Sequence, residues 1–241
     1  MMAFSPFLHP KDTDLTSVTQ PGFDKPYAAF LFDMDGTILN STAAAERVWG
    51  EWAARQGLDV EAFMPTMHGS RAVDTITRLN LPGVDPVEEA ALITRLEIED
   101  VDGVVAIPGA AAFLATLPSD RWAIVTSSPL ELARRRLQAA GLPVPSILVT
   151  AEDVKIGKPD PFGYKLGAER LGASPADCLV FEDVKAGILA GEAAGADVMV
   201  ITATHAHLLE TRHATLKDYT AVKVSRNGAG LLTISRAASA A

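Results

Sequence analysis

The feature that most constrains this chain is a series of short, continuous apolar runs that each end at polar residues. Tyr27-Ala28-Ala29-Phe30-Leu31-Phe32 stops at Asp33, and Trp122-Ala123-Ile124-Val125-Thr126, Ile147-Leu148-Val149-Thr150, Cys178-Leu179-Val180-Phe181 and Val198-Met199-Val200-Ile201 follow it. Hydrophobicity that is continuous instead of alternating suits a strand covered on both faces, as in a parallel sheet, although a buried helical segment has the same signature. Between the runs lie helical patterns over residues 110–117, 130–140, 161–171 and 185–194. Gly141, Gly172 and Gly195 sit just past three of these, where a helix closes on a left-handed residue. Strands alternating with helices require crossover connections, which predicts an α/β fold: a Rossmann-like parallel sheet with helices on both faces.

One region breaks the alternation. Residues 41–100 read as helices only, over 42–56, 72–79 and 87–99, with Ser41 or Thr42 capping the first and Asp85-Pro86 opening the last. A helical block between the first strand and the rest of the sheet predicts an all-helical cap at 41–106, inserted into a core of 27–40 and 107–241. The hinges fall near Asn40-Ser41 and Ala106-Ile107-Pro108-Gly109. Residues 1–26, rich in Pro, Ser, Thr and Asp, read as an N-terminal extension outside the fold.

A chain of 241 residues with 48% hydrophobic and 21% charged content can bury a sizeable core. A formal charge of -9 argues against nucleic acid or an anionic membrane as a partner. Such a protein can still take a small phosphorylated metabolite, provided it gathers cations or a metal locally. The lone cysteine, Cys178, opens an apolar run and reads as a buried structural thiol. The start shows no secretory signal, and no apolar stretch is long enough to span a bilayer. The expectation is a cytoplasmic protein, a monomer or weak homodimer.

In open parallel sheets ligands bind beyond the carboxyl ends of the strands. The residues there are Asp33 and Asp35, Thr126 and Ser127, and Glu182 and Asp183, with Lys158 in the loop after the Ile147 run. Each alone could be a solvated loop residue; together they converge. Carboxylates crowded around one lysine repel unless a cation shares the site. Hard oxygen ligands suit Mg²⁺, which takes one or two carboxylates plus substrate phosphate. A metal, a lysine and a hydroxyl followed by free amides form a site for a phosphate dianion.

Asp33-Met34-Asp35-Gly36-Thr37 resembles the first motif of the haloacid dehalogenase superfamily. Val125-Thr126-Ser127-Ser128, Gly157-Lys158-Pro159, and Phe181-Glu182-Asp183 with Ala186-Gly187 resemble the second, third and fourth, in order, over about residues 28–201. The resemblance implies that Asp33 is a nucleophile forming an aspartyl-phosphate, and that Asp35 is the general acid and base. It implies phosphate contacts from Thr126 and Ser127, with Lys158 orienting Asp33. Mg²⁺ would be held by Asp33, Asp183 and the carbonyl of Asp35, with Glu182 supporting those ligands from behind or reaching the ion through water. Asp35 also disfavours the superfamily's dehalogenases, which lack an aspartate there. The absence of lysine from residues 42–100 disfavours its phosphonate-cleaving members.

Met67-His68-Gly69-Ser70-Arg71-Ala72-Val73-Asp74 resembles the substrate-specificity loop of members with small helical caps, the sugar and glycerol phosphatases above all. His68 and Arg71 are candidates for contacting substrate; the alternatives are that Arg71 pairs with Asp74 and that His68 caps a helix. Trp49 and Trp52 share a helical face and read as packing, not a sugar platform. Arg134-Arg135-Arg136 reads as a solvated face, and His205 and His207 carry no metal-ligand pattern. The expected activity is Mg²⁺-dependent hydrolysis of a small phosphorylated sugar or polyol. The alternatives are a sugar phosphomutase of the β-phosphoglucomutase type and, outside enzymes, a regulatory binding module, which the filled catalytic positions disfavour.

Overall fold

The computed structural model describes residues 22–23, 25–205 and 210–237. In chain order the first strands are β1 (Pro26–Tyr27), β2 (Ala29–Phe32) and β3 (Leu39–Asn40). The helices α1 (Thr42–Arg55), α2 (Val60–Phe63), α3 (Ala72–Leu79) and α4 (Pro86–Glu99) follow, and β4 (Val105–Ala106) closes this part. The remainder alternates as α5 (Ala110–Ala115), β5 (Trp122–Val125), α6 (Leu130–Ala139), β6 (Leu148–Val149), α7 (Phe162–Arg170), β7 (Cys178–Glu182), α8 (Lys185–Ala194) and β8 (Asp197–Ile201). Three strands end it: β9 (Ala214–Leu216), β10 (Val222–Arg226) and β11 (Leu232–Arg236).

The main sheet has six strands in the order β6-β5-β2-β7-β8-β9, every pairing parallel. Its continuous apolar runs have a direct cause. Phe30 and Phe32 of β2 enter one core with Phe181 and Phe113, while Ala29 and Leu31 enter a second with Val125, Val180 and Tyr164. Strand side chains alternate in direction, so a strand with a hydrophobic layer on each face has no position left for a polar residue. Each fully buried Phe or Leu contributes roughly 1.5–3 kcal/mol. Cys178 is buried in the second core, as its apolar run predicts, and burial pushes its thiol up to about 12.

A third core belongs to the helical block alone. Trp49 and Trp52 meet edge to face at 5.6 Å and pack with Phe63, Ile76 and Ile93, so they build this core as their spacing predicts. The Trp52 indole donates to Glu89 at 2.8 Å, which satisfies its buried N–H. The block leaves the sheet through β3 and returns through β4, and these two pair antiparallel, Leu39 with Ala106 and Asn40 with Val105. Asp85 caps α4 through the amides of Val87 and Glu88. Ser41 occupies the N-cap position of α1 without capping it, because its hydroxyl is engaged by Asp35 at 2.6 Å. Gly141, Gly172 and Gly195 take the left-handed φ that their places after helices predict.

Several boundaries differ from the sequence reading. The Tyr27 run divides: Tyr27 pairs with Leu232 in a separate antiparallel sheet, β1-β11-β10, and only Ala29–Phe32 joins the main sheet. The extension assigned to residues 1–26 is therefore shorter, since Phe23 is buried in the first core and Pro26 pairs with Thr233; residues 1–21 lie outside the described part. Tyr27 explains this early start, because its hydroxyl receives the Gly22 amide at 2.9 Å and donates to Asp197 at 2.8 Å. The β10–β11 pair adds two strands beyond the apolar runs, with Val222 and Val224 alternating with polar residues. Among the described residues no helix is long and apolar enough to cross a membrane.

Candidate active site

Because the main sheet is parallel, the residues following its strands meet along one edge. β5, β2 and β7 are neighbours, which sets Thr126, Asp33 and the Glu182-Asp183 pair side by side. The Asp33 amide donates to the Phe181 carbonyl at 2.9 Å, and the Thr126 amide to the Val149 carbonyl at 2.9 Å, so both are anchored to the sheet. Gly36 turns the chain at φ 87°, and a Cβ there would overlap the Asp183 carboxylate. The glycine after Asp35 thus serves both a left-handed turn and a close approach.

Lys158 reaches this edge from the loop after β6. Its ammonium donates to Asp33 Oδ1 at 2.5 Å and to Glu182 Oε1 at 2.6 Å, and all three side chains are buried. Burial alone would lower the lysine, but Asp33 and Glu182 outweigh it and hold Lys158 protonated. Burial raises Asp33 against the pull of Lys158, with Glu182 and Asp35 adding to the rise. Asp183 is raised by burial, then by Glu182 and Asp33. One lysine does not neutralise three buried carboxylates.

Carboxylate oxygens of Asp33, Glu182 and Asp183 lie within 4.8 Å of one another, a spacing that a single divalent ion can share. Glu182 is nonetheless spoken for. Oε1 accepts from Lys158 and from the Tyr164 hydroxyl at 2.8 Å; Oε2 accepts from the amides of Asp183 at 2.9 Å and Val184 at 3.2 Å. Among the described residues the Asp183 carboxylate accepts only from the Thr37 hydroxyl, at 3.1 Å. The donor set fits a hard cation, with Asp33 and Asp183 offering free oxygens and Glu182 fixing the lysine.

Asp35 points from the same loop toward the helical block. Oδ1 accepts from Ser41 at 2.6 Å and from Arg136 at 3.0 Å, and Oδ2 from Ser128 at 3.1 Å. The Thr126 hydroxyl accepts the Ser128 amide at 3.1 Å, and the Ser127 hydroxyl donates to the Gly69 carbonyl at 3.0 Å, tying this loop to the block. A cleft opens here, lined by Asp33, Asp35, Thr126, His68, Glu97 and Arg136.

Arg136 corrects the sequence reading. It is buried, not part of a solvated face, and its second Nη donates to Glu97 at 2.8 Å. The signal was available: Arg136 lies four residues after Leu132 and three after Ala133, on the buried side of α6, while Arg134 is exposed. Arg71 is also placed away from the cleft. It makes a bidentate pair with Asp74 at 2.7 Å and donates to the carbonyls of Val154 and Lys155, as its alternative reading holds in part. His68 lines the cleft. His205, which carries no metal-ligand pattern in the sequence, contacts the Asp183 carbonyl at 2.7 Å through Nε2, and His207 lies outside the described residues.

Residues 27–195 match the family of haloacid dehalogenase-like hydrolases. The chain is 46% identical over 179 residues to hexitol phosphatase A of Escherichia coli, covering 72% of this chain and 82% of that protein. It is 32% identical over 187 residues to glycerol-1-phosphate phosphohydrolase 2 of Saccharomyces cerevisiae, covering 73% and 75%. Among solved structures, a hydrolase from Pseudomonas syringae superposes with a TM-score of 0.69 at 26% identity, covering 80% of this chain and 94% of that one.

Proposed function

The chain belongs to the haloacid dehalogenase-like hydrolases, and from that premise we propose that it is a Mg²⁺-dependent phosphatase of small phosphorylated sugars or polyols. The observation that carries this is the buried set of Asp33, Lys158, Glu182 and Asp183, short of positive charge, beside Thr126 at one edge of the sheet. In this reading Asp33, Asp183 and the backbone carbonyl of Asp35 would hold Mg²⁺. When bound, the ion supplies Lewis-acid stabilisation of the phosphoryl oxygens and offsets the repulsion between carboxylate and phosphate.

The chain's own residues perform the transfer. The free oxygen of Asp33 attacks phosphorus, forming an aspartyl-phosphate as the ester oxygen departs. Asp35 gives that oxygen a proton, so the product leaves as an alcohol and not as an alkoxide. Asp35 then takes a proton from the water that attacks the aspartyl-phosphate, releasing inorganic phosphate and restoring Asp33. Lys158 holds Asp33 in line and stays protonated throughout. Thr126 and Ser127 bind phosphoryl oxygens, and the helical block acts as a cap that keeps bulk water from the intermediate. His68 faces the leaving group. Arg71 fastens the cap to the core through Val154 and Lys155.

The substrate class rests on the likeness to enzymes named for hexitol and glycerol-1-phosphate, and on a cleft whose lining offers Ser41, Ser128, His68 and Thr94 to hydroxyl groups. Phosphate release from a panel of hexitol, glycerol and sugar phosphates, with Mg²⁺ and without added bisphosphate, tests it. Turnover on polyol or sugar phosphates that stops in excess chelator is expected. Undiminished release in chelator would remove the metal role, and a strict need for bisphosphate would mark a mutase instead.

A further inference from the structure

The far wall of the cleft holds a cation that has no charge to spare. Arg136 donates to Asp35 at 3.0 Å through one Nη and to Glu97 at 2.8 Å through the other, so its single positive charge is already matched by the Glu97 carboxylate while it also holds the Asp35 side chain. Glu97 comes from α4 of the cap and Arg136 from α6 of the core, and both are buried. Buried groups of this kind are felt strongly, because the surroundings screen them far less than water does.

Among the described residues no other cation adds positive charge at this wall. Burial lowers the His68 imidazole, with Glu46 and Asp35 only opposing, so it faces the cleft uncharged at neutral pH. Arg71 is bound to Asp74 and to two carbonyls, and Arg47 to Asp100 outside the cleft. Lys158 lies at the opposite end, between Asp33 and Glu182. The lysine therefore stands at the phosphate end of the cleft, and the leaving-group end has only the guanidinium that Glu97 already holds.

We propose that Glu97 and Arg136 determine specificity by charge: with Asp35 they form a wall that accepts an uncharged polyhydroxyl group and rejects a leaving group bearing a second anion, whether a carboxylate or another phosphate. This rests on the phosphatase reading and sharpens it. Hydroxyl groups can donate to the Glu97 carboxylate and accept from the guanidinium without disturbing the pair. An anion must either repel Glu97 or displace it from Arg136, which strands a buried carboxylate. The same wall opposes a bisphosphate, the intermediate that a phosphomutase has to hold.

The test compares kcat/KM for glycerol 1-phosphate, a hexitol phosphate, 2-phosphoglycolate and fructose 1,6-bisphosphate, in the wild type and in Glu97→Gln. In the wild type the neutral-group esters should exceed the two anionic ones by about tenfold or more, in line with poorly screened repulsion. Glu97→Gln should narrow that ratio by about fivefold, through KM for the anionic esters, because the repulsion acts on binding. Comparable wild-type kcat/KM for neutral and anionic esters overturns the proposal, and so does a variant that loses activity on all four in equal proportion. The wild-type ratio decides independently of how the variant folds. An enzyme inert toward every ester overturns the phosphatase reading and this one with it.

Discussion

Gly187→Ala adds one methyl group in the first turn of α8, and helix propensity alone makes that change stabilising by at most about 0.8–1.0 kcal/mol. The structure predicts the opposite outcome. The space a Cβ needs at Gly187 is filled by the Glu182 carboxylate, which must retreat by more than about 1 Å to reach van der Waals distance. That carboxylate holds Lys158 at 2.6 Å, the Tyr164 hydroxyl at 2.8 Å and the Asp183 amide at 2.9 Å. Bonds of this length do not survive such a shift. Losing a buried ion pair costs about 3–5 kcal/mol, so after the helical gain the variant should be about 2–4 kcal/mol less stable. Catalysis should suffer separately. Lys158 would lose one of the two carboxylates that fix its position beside Asp33, and a misplacement of about 1 Å is worth about 10²-fold in rate. Urea unfolding and kcat/KM for phosphate release measure the two effects. As a control, a Cβ at Gly191 on the same helix would lie 3.0 Å from Val198 Cγ2 and 3.2 Å from Val180 Cγ1. Gly191→Ala should cost about 1–3 kcal/mol by overpacking while leaving the catalytic rate alone. A Gly187→Ala protein more stable than wild type, with kcat/KM within about twofold of it, would refute the reasoning.

Three further outcomes are expected. Asp33→Asn should abolish release of phosphate from every phosphomonoester while circular dichroism stays unchanged; measurable turnover would mean that another group attacks phosphorus. Cys178 should resist alkylation in the native protein at pH 8, since a thiol at about 12 in place of the usual 9 is thiolate on the order of a thousandfold less often, and rapid labelling without unfolding would contradict its burial. Asp153 sits below its ordinary range: burial raises it, but Arg170 and the Thr150 amide and hydroxyl outweigh that. A depressed folded value contributes stability above the unfolded pKa, and that contribution is lost as pH falls through the folded one. Asp153→Asn should therefore destabilise at pH 7, and the difference from wild type should vanish in strong acid.

The parts of the molecule legible in the sequence are those with a single physical explanation. An apolar strand with no polar position, such as Leu31 between Phe30 and Phe32, has to be covered on both faces, and it is. Asp33, Thr126 and Asp183 follow from that, since polar residues after parallel strands converge at one edge. What escaped the sequence depends on partners distant along the chain. Tyr27 looks continuous with Ala29–Phe32, yet its partner is Leu232. Arg136 sits in an arginine run, and only its place on the apolar face of α6, opposite Glu97, separates it from Arg134. Ser41 has the composition of a helix cap and the neighbour, Asp35, that takes its hydroxyl away.

The pairing of Leu39–Asn40 with Val105–Ala106 means that the chain departs from the core and comes back to it at the same spot. Every residue that pairs in the six-stranded sheet lies outside the segment those two strands carry between them. Residues 41–104 are in that sense a cassette. Under the proposed mechanism, helices there can be rebuilt around a new leaving group while Asp33, Lys158 and Asp183 keep their places, so that selection can revise what is recognised without reopening how the bond is broken.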